Sequence, residues 1–349
     1  SEMCIRDRLN TLPGARQSSN KDLVDSLGRR VTYLRLSVTD RCDLRCTYCM
    51  QERQTFLPKA DLLDYHELLR LVDLFIARGV TKLRITGGEP LVRQDVMGFL
   101  EDVSRRILPG KLNELTLTTN GTQLARHASA LAGMGIRRIN VSLDTLDRET
   151  YARIARRDVL PEVLDGISAA LDAGLRVKIN AVALKGENQA ELPDLITWAH
   201  RRGMDISLIE TMPLGEGIAG RTDAFLPLSE VRADLEQVWK LDPLTDNTGG
   251  PSRYVRIRET GGRLGFISPL SHNFCEDCNR VRVTCTGMLY TCLGHEGGAD
   301  LKAALRSQGD NAVDETLDGA LGLKPKGHTF DAGSLETAAT RRTMSVTGG

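Results

Sequence analysis

The sequence predicts an α/β fold in which strands and helices alternate around a parallel sheet. Short β-rich runs recur between Tyr33 and about Pro213, and amphipathic stretches of helical period separate them. Six strands are predicted, with the sequences YLRLSV, KLRITG, ELTLTTN, RINVSLD, RVKINAV and DISLIETM. Ligands of parallel α/β folds, barrels and open sheets alike, bind at the carboxyl ends of the strands, so we expect the functional site there.

The intervening helices carry their own start and stop signals. Asp64 and Glu67 form a predicted capping box, and Gly79 is placed to end the helix that they begin. The apolar residues of this helix share one face: Leu68, Leu69, Val72, Phe75 and Ile76. The same period recurs in Val96, Phe99, Leu100 and Val103, and in Val163, Leu164, Ile167, Ala170 and Leu171 after Pro161.

The chain divides into three predicted parts. Residues 1–19 carry no apolar period and are predicted to be a disordered or cloning-derived tail, so Cys4 is not counted as a candidate ligand. Residues 20–244 form the βα region. Residues 245–349 form a C-terminal region that follows a helix from about Ser229 to Trp239, contains a predicted hairpin (YVRIRETGGRLGFIS) and ends on Gly348-Gly349.

Composition excludes several classes of partner. Lys and Arg together number 46, as do Asp and Glu, and no long basic run could follow a nucleic-acid backbone or an anionic membrane. The apolar stretches are shorter than a bilayer span, and the N-terminus lacks a secretory pattern, which predicts a cytoplasmic protein. In a reducing compartment, eight cysteines in two groups indicate metal ligation rather than disulfides.

The first cysteine group supplies three thiols and no fourth. Cys42, Cys46 and Cys49 are spaced C-x3-C-x2-C directly after the first predicted strand. An iron-sulfur cubane held by three thiolates keeps one iron open to an outside ligand, whereas four thiolates close it. A zinc site that borrows a distant ligand, or packed thiols, are the alternatives.

The second cysteine group also supplies three candidate ligands. Cys275, Cys278 and Cys292 are spaced C-x2-C-x13-C, and by spacing alone a zinc ribbon is as good an interpretation as a cluster. Cys285 lies between them, and we expect it to be a small buried residue in a strand, because a fourth thiolate would close the site. The six histidines form no ligand pair.

These motifs resemble known families. The three cysteines with Tyr48 before the last of them, and the strand-end segment Gly87-Gly88-Glu89-Pro90, resemble the signature of radical S-adenosylmethionine (SAM) enzymes. The wider set resembles the GTP 3′,8-cyclase (MoaA) family of molybdenum cofactor biosynthesis, from about Asp22 to the last residue. It comprises FC-x2-C-x-R-x-R, YTCL, RITGGEPLVR, LTTNG, INVSLD, IETMPLG and the terminal Gly-Gly.

The resemblance implies a fold and a set of site residues. The fold is a partial (β/α)6 TIM-type barrel with a C-terminal region that carries a second [4Fe-4S] cluster. The first cluster binds SAM, and the residues implied at the SAM site are Tyr48, Gly88, Ser142 and Met212. Those implied at the GTP site are Arg35, Arg84, Thr118, Lys178, Arg280, Val281 through its backbone, and Arg282. Arg280, Arg282, Gly348 and Gly349 are implied in catalysis.

The chemistry of the substrate agrees with these basic residues. A triphosphate carries about three to four negative charges, and arginine offers forked donors to phosphate oxygens. Arg35 and Arg84 lie on adjacent predicted strands, so we expect them to converge. Many family members have an arginine where this chain has Ser207, so one basic contact is missing or is supplied elsewhere.

The implied reaction starts with a 5′-deoxyadenosyl radical that removes the hydrogen at C3′ of GTP. Ring closure onto C8 then gives (8S)-3′,8-cyclo-7,8-dihydroguanosine 5′-triphosphate. The implied partners are a second copy in a homodimer, a flavodoxin- or ferredoxin-type electron donor, and cyclic pyranopterin monophosphate synthase as the next enzyme. The alternatives are a peptide-modifying radical SAM enzyme with an auxiliary cluster, and a non-catalytic zinc- or cluster-binding interaction protein.

Overall fold

The protein is described by a computed structural model over residues 22–216, 218, 220–245, 250–271, 275–307, 309–331, 333 and 335–348. The predicted tail at residues 1–19, with Cys4, and the terminal Gly349 lie outside the described residues.

Helices and strands alternate as predicted through the first two thirds of the chain. The strands are β1 (Tyr33–Ser37), β2 (Lys82–Thr86), β3 (Glu114–Thr119), β4 (Arg138–Ser142), β5 (Arg176–Val182), β6 (Asp205–Ile209), β7 (Leu241–Pro243), β8 (Arg253–Ile257), β9 (Arg263–Ile267), β10 (Arg280–Val283), β11 (Met288–Tyr290) and β12 (Ala299–Asp300). The helices are α1 (Tyr65–Ala77), α2 (Val96–Ser104), α3 (Leu124–Gly133), α4 (Arg148–Ala155), α5 (Leu160–Asp172), α6 (Leu192–Arg201), α7 (Arg221–Ala224), α8 (Leu228–Val238), α9 (Leu301–Ser307), α10 (Asp310–Gly322) and α11 (Met344–Thr347).

The described strands form a single sheet in the order β12-β11-β10-β1-β2-β3-β4-β5-β6-β9-β8-β7. The six predicted strands β1 to β6 are parallel and adjacent in chain order, which confirms the predicted α/β fold. The C-terminal region extends both edges of this arc, because β10 pairs in parallel with β1 and β9 pairs in parallel with β6. The predicted hairpin is confirmed as the antiparallel pair β8 and β9.

Local signals explain where the helices begin. At the start of α1, the Asp64 carboxylate accepts from the Glu67 N–H at 2.8 Å, and the Glu67 carboxylate accepts from the Asp64 N–H at 2.8 Å. Both halves of the predicted capping box are therefore present. Pro161 occupies the first turn of α5, where its missing N–H has no helical partner to lose.

Alternation along the strands separates a core from a cavity. In β1, Leu34 and Leu36 are buried against the surrounding helices, whereas Tyr33 and Arg35 line the inner face. Phe75 of α1 belongs to the same apolar core. Each buried leucine contributes about 2 kcal/mol of transfer free energy, so the outer face carries much of the stability and leaves the inner face for polar residues.

The predicted boundary at residues 244 and 245 falls within one continuous sheet. β7, which precedes that boundary, pairs with β8, which follows it. The division into two regions therefore stays a prediction. No helix in the described part of the chain has the length and apolar character required to span a membrane.

Cys285 is buried as predicted but does not lie in a strand. β10 ends at Val283, and the Gly287 N–H donates to the Thr284 carbonyl at 2.9 Å, which closes a turn around Cys285. The Cys285 carbonyl accepts from the Leu63 N–H at 2.7 Å. The prediction of a strand was wrong, because the turn begins one residue before this cysteine.

Candidate active site

A cavity of about 310 Å³ lies on the inner face of the sheet, and both cysteine groups line it. The first group comprises Cys42, Cys46 and Cys49, here the first triad, and the second comprises Cys275, Cys278 and Cys292, here the second triad. Buried Cys285 is not part of the lining. Each triad therefore presents three thiols to one shared space.

The first triad lies in the loop after β1, and backbone turns hold it. The Cys49 N–H donates to the Cys46 carbonyl at 3.0 Å, and the Leu44 N–H donates to the Cys42 sulfur at 3.4 Å. Burial raises the pKa of Cys42 and of Cys49 to about 12. These thiols are thus protonated in the absence of a metal, and metal binding would release their protons.

Tyr48 of this loop is anchored to a carboxylate that the sequence-based prediction missed. Its hydroxyl donates to Asp144 Oδ2 at 2.8 Å, and Asp144 Oδ1 accepts from the Val182 N–H at 2.8 Å. Burial raises the pKa of Asp144 to about 6, although both hydrogen bonds oppose the shift. Asp144 belongs to the strand-end segment SLDT, and that polar strand end was the available signal.

The segment Gly87-Gly88-Glu89 packs backbone to backbone against the loop that begins the first triad. The Gly88 N–H donates to the Thr39 carbonyl at 2.7 Å, and the Glu89 N–H donates to the Arg41 carbonyl at 2.8 Å. A Cβ on Gly88 would overlap the Arg41 carbonyl carbon, 2.6 Å away. Only glycine therefore allows this close approach.

Glu89 is a second carboxylate that the sequence-based prediction did not assign. It accepts from the Asn120 N–H at 2.6 Å, the Leu91 N–H at 3.0 Å and the Thr119 hydroxyl at 2.8 Å. Burial raises its pKa to about 7 against these hydrogen bonds. The side chain thus joins the ends of β2 and β3 behind the cavity.

Arginines from three neighbouring strands meet on the cavity wall. Arg35 is in register with Arg84 of β2 on one side and with Arg282 of β10 on the other. The expected convergence of Arg35 and Arg84 is therefore observed. Arg84 donates to the hydroxyls of Thr118, at 3.0 Å, and Tyr33. Burial opposes ionisation of Tyr33, but Arg84 and Arg35 outweigh it and lower its pKa to about 8. The wall is strongly cationic, which favours a polyanionic ligand.

Lys178 extends this cationic wall from β5. Its ammonium donates to the Tyr254 hydroxyl at 2.7 Å and lies 5.0 Å from the centre of the Tyr254 ring. Burial lowers the pKa of Lys178. Tyr254 was not predicted, because it comes from β8, far away in the sequence.

Ser207 occupies the position where the resemblance led us to expect an arginine in many relatives. Its hydroxyl lies 2.9 Å from that of Ser252, and Gly265 faces it from β9. The space beside Ser207 is filled by these small groups, and no basic side chain of the described residues hydrogen-bonds Ser207.

In the second triad, Cys275 and Cys278 precede β10, and Cys292 follows β11. The Cys278 N–H donates to the Cys275 carbonyl at 3.2 Å. Burial opposes ionisation of Cys278, but the charges of Lys324 and Arg280 outweigh it and lower the pKa of this thiol. Lys324 was not predicted as a site residue.

The C-terminal tail enters the cavity. Met344 and Ser345 of α11 line it, and the Gly348 carbonyl accepts from the Arg282 guanidinium. Gly348 is buried, and its φ of +77° lies in the left-handed region that favours glycine. The tail reaches this point alongside residues 213–216, where the Gly215 N–H donates to the Thr340 carbonyl at 2.9 Å.

Several buried polar atoms of the wall have no hydrogen-bond partner among the described residues. They include Asn140 Oδ1, Asn180 Oδ1 and Thr211 Oγ1. Buried polar atoms are normally paired, so these acceptors fit a ligand with N–H or O–H donors. No three His, Cys, Asp or Glu side chains in the described ranges are grouped as ligands of one metal ion.

The structure brings together most of the predicted residues. Those that line the cavity are Cys42, Cys46, Cys49, Cys275, Cys278, Cys292, Tyr48, Gly88, Ser142, Met212, Arg35, Arg84, Thr118, Lys178, Arg280 and Arg282. Val281 is buried in β10 and faces away from the cavity. Gly349 lies outside the described residues.

Comparison with known proteins adds independent information. The family described as Radical SAM superfamily matches residues 36–199, and the family described as Molybdenum Cofactor Synthesis C matches residues 204–330. The chain is 59% identical over 334 residues to a protein of Brucella canis named GTP 3′,8-cyclase, covering 95% of this chain and 97% of that one. A protein of Nitrobacter winogradskyi with the same name is 57% identical over 336 residues, covering 96% and 98%.

Solved structures agree in fold. Streptococcus suis SuiB bound to S-adenosylmethionine superposes with a TM-score of 0.59 at 16% identity, covering 84% of this chain and 66% of that one. Identity this low supports a shared architecture and nothing more specific.

Proposed function

The chain belongs to the GTP 3′,8-cyclase family, and from that membership we propose which of its residues hold the cofactors and the substrate. It is a radical SAM enzyme that converts GTP to (8S)-3′,8-cyclo-7,8-dihydroguanosine 5′-triphosphate in molybdenum cofactor biosynthesis. One observation carries the residue assignments: both cysteine triads and the arginines of three adjacent strands line a single cavity.

The first triad would hold one [4Fe-4S] cluster and the second triad another. Three thiols at each place, with Cys285 outside the lining, leave one iron of each cluster without a protein thiolate. When bound, the first cluster and SAM supply the 5′-deoxyadenosyl radical that the reaction requires. The cysteines of the first triad are half-buried, which would limit the access of water to this place.

SAM would lie between the first triad and the ends of β2 to β6. We assign its contacts to Tyr48, Gly88, Ser142 and Met212, all of which line the cavity. Asp144 fixes the Tyr48 hydroxyl. Asn180 Oδ1 and Thr211 Oγ1, which have no partner among the described residues, belong to residues of the same cavity lining and would accept hydrogen bonds from such a ligand.

GTP would lie against the cationic wall. We assign its contacts to Arg35, Arg84, Thr118, Lys178, Arg280, Val281 through its backbone, and Arg282. Arg84 is already oriented by Thr118 and Tyr33, and Lys178 by Tyr254. Side chains held in this way lose little further freedom when a phosphate binds, so more of the interaction free energy appears as affinity.

Arg280, Arg282, Gly348 and Gly349 would complete the catalytic arrangement. The hydrogen bond from Arg282 to the Gly348 carbonyl ties the tail to the arginine cluster. The tail thereby packs against the ends of β1 and β2, at Ser37 and Thr86, and would keep water away from a substrate radical. The role of Gly349 follows from the family resemblance.

We also propose a cytoplasmic homodimer that takes electrons from a flavodoxin- or ferredoxin-type donor and passes its product to cyclic pyranopterin monophosphate synthase. These proposals rest on the family resemblance. Analytical ultracentrifugation tests the dimer, and pull-down with each partner tests the associations.

Anaerobic incubation of the reconstituted protein with SAM, GTP and a reductant tests the function and the site together. We expect 5′-deoxyadenosine to form only when GTP is present, and mass spectrometry to detect the cyclised triphosphate. R84M should lose GTP binding and product. R148M is the matched control, because Arg148 is an exposed arginine of α4 that pairs with Asp158. Equal GTP binding by R84M and R148M would reject the proposed substrate site.

Iron and sulfide analysis tests the cofactor assignment. About eight irons per chain are expected from two cubanes. Zinc without sulfide at the second triad would reject a second cluster.

A further inference from the structure

A buried lysine, Lys324, lies directly beside the second triad. It follows α10, and only 4% of its surface is exposed. Its ammonium donates to the Cys278 sulfur at 3.6 Å, to the Arg280 carbonyl at 3.1 Å and to the Thr291 carbonyl. An ammonium has three donors, so these three acceptors account for all of them.

No carboxylate in the described part of the chain pairs with the charge of Lys324. None of the ion pairs between described residues includes it. A buried charge is strongly unfavourable unless an opposite charge or several hydrogen bonds offset it. Two of its three acceptors are neutral carbonyls, so the acceptor that can carry the compensating negative charge is the Cys278 sulfur.

Among the described residues, no charged group donates a hydrogen bond to a sulfur of the first triad. The donors to its sulfurs are neutral groups of the described residues: the N–H of Leu44 and the amide of Asn120, to Cys42, the Tyr48 hydroxyl, to Cys46, and the backbone of Ser345, to Cys49. All of these donors are neutral. The two triads therefore differ in the charge of the groups that hydrogen-bond their sulfurs.

We propose that Lys324, acting through Cys278, raises the reduction potential of the iron-sulfur centre held by the second triad. This inference rests on the proposed second cluster. Reduction adds one negative charge to such a centre, and a fixed positive charge with an N–H···S hydrogen bond stabilises the reduced form more than the oxidised form. Lys324 is thus a positioning residue that tunes the centre, and it need not touch the substrate.

Redox titration followed by electron paramagnetic resonance tests this role. The measurement uses the full chain with Cys42, Cys46 and Cys49 changed to alanine, so that only the second triad binds iron. In this background K324M should lower the midpoint potential. At the potential where the parent centre is half reduced, we expect the ratio of oxidised to reduced centre to rise about tenfold, which is about 59 mV for one electron.

Two further substitutions separate charge from packing. K324Q keeps a hydrogen-bond donor but loses the charge, so its midpoint potential should fall between those of the parent and K324M. K324R keeps the charge and should retain a potential near that of the parent. If Lys324 only holds the two carbonyls in place, the midpoint potentials of the variants should not follow the charge of the side chain at position 324.

Arg29 provides a matched control beside the same triad. It is a largely buried cation that donates to the Cys275 carbonyl at 2.8 Å and pairs with Asp25 at 2.6 Å, so it contacts the backbone of a candidate ligand residue and not a sulfur. R29Q should lower the unfolding temperature and leave the potential unchanged. A second control places K324M in a chain whose second triad is alanine, where the potential of the first centre should not change.

The outcomes distinguish the inference from the function on which it rests. An iron-loaded K324M centre with the parent potential would overturn the role of Lys324. Failure of the parent second triad to bind iron would instead overturn the proposed second cluster. If K324M and K324Q both lose iron while K324R keeps it at the parent potential, the requirement for charge is supported. If K324R also shifts downward like K324M, the requirement for charge is rejected.

Discussion

Replacing Gly348 with alanine tests whether the tail must enter the cavity for turnover. The φ of Gly348 is +77°, and a Cβ added there would lie 2.8 Å from the Cβ of Thr86 and closer still to its hydroxyl. G348A therefore meets two obstacles, an unfavourable backbone conformation and an overlap with β2.

The expected magnitude follows from both obstacles. A left-handed backbone costs alanine about 1–2 kcal/mol, and overpacking costs about 1–3 kcal/mol. The sum of about 2–5 kcal/mol lowers the population of the seated tail by about 30-fold to about 4,000-fold. Arg282 then loses its carbonyl acceptor, and we expect turnover to fall within this range. The free energy of unfolding should change little, because a terminal segment can detach without unfolding the barrel.

The assay is the rate of cyclised triphosphate formation at saturating SAM and GTP. G319A is the matched control, because Gly319 lies in α10 with open space where a Cβ would be added and with an ordinary backbone conformation. T86A removes a hydroxyl that has no partner among the described residues, so G348A/T86A should recover part of the loss relative to T86A. Full turnover by G348A would refute the reasoning.

Three further predictions concern stability, substrate affinity and the tail. Burial raises the pKa of Glu89 to about 7 from 4.5, so the protonated side chain stabilises the folded state below about pH 4.5 and this stabilisation is lost as the pH rises to 7. The effect is worth about 3 kcal/mol of unfolding free energy, and urea unfolding of E89Q apoprotein should lack it. The same pH dependence of the unfolding free energy in E89Q and in the parent would contradict this prediction. Y254F leaves the Lys178 ammonium without its hydroxyl acceptor, a cost of about 1–3 kcal/mol. Calorimetry should therefore show GTP affinity weakened about tenfold while SAM affinity is retained. Unchanged GTP affinity would count against a role of the Lys178–Tyr254 hydrogen bond in GTP binding. R342A removes a guanidinium whose central carbon lies 3.6 Å from the centre of the Tyr290 ring, so limited proteolysis should cut the tail faster. R342K should not restore the slower cleavage of the parent, because an ammonium does not stack on the ring as a guanidinium does. Cleavage of R342A at the parent rate would show that this contact does not hold the tail.

The parts of the fold that depend on neighbours in sequence could be predicted. The capping box of Asp64 and Glu67 involves residues three apart, and its geometry is the one expected. The strands β1 to β6 follow from alternating runs that each contain their own pattern. The turn at Cys285 was missed because the run VRVTCTG keeps an alternating pattern beyond the end of the strand.

The edges of the sheet could not be predicted, because they depend on pairing across long distances in sequence. β10 pairs with β1 although about 240 residues separate them in the chain. Alternation in RVRV indicates a strand but not its partner. This pairing matters for the site, because it places Arg282 beside Arg35.

The cavity residues that were missed fall into two groups. Asp144 and Glu89 stand at strand ends with visible polar signals, and each could have been proposed from position alone. Lys324 and Tyr254 carry no local signal, because the groups they contact, Cys278 and Lys178, are 46 and 76 residues away in sequence. A fully buried lysine is rare, so burial marks Lys324 as a candidate site residue once the structure is known.

The buried arginines of the cationic wall repel one another, which destabilises the fold but favours binding of an anionic substrate. Burial, followed by the charge of Arg282, lowers the pKa of Arg35, and burial followed by Arg280 lowers the pKa of Arg282 to about 10. Strand pairing fixes Arg35 between Arg84 and Arg282, so their repulsion cannot relax by separation. A triphosphate brings about three to four negative charges to this wall. Its binding offsets both the repulsion and the lost hydration, which is why cations in rigid register suit this ligand better than mobile surface lysines would.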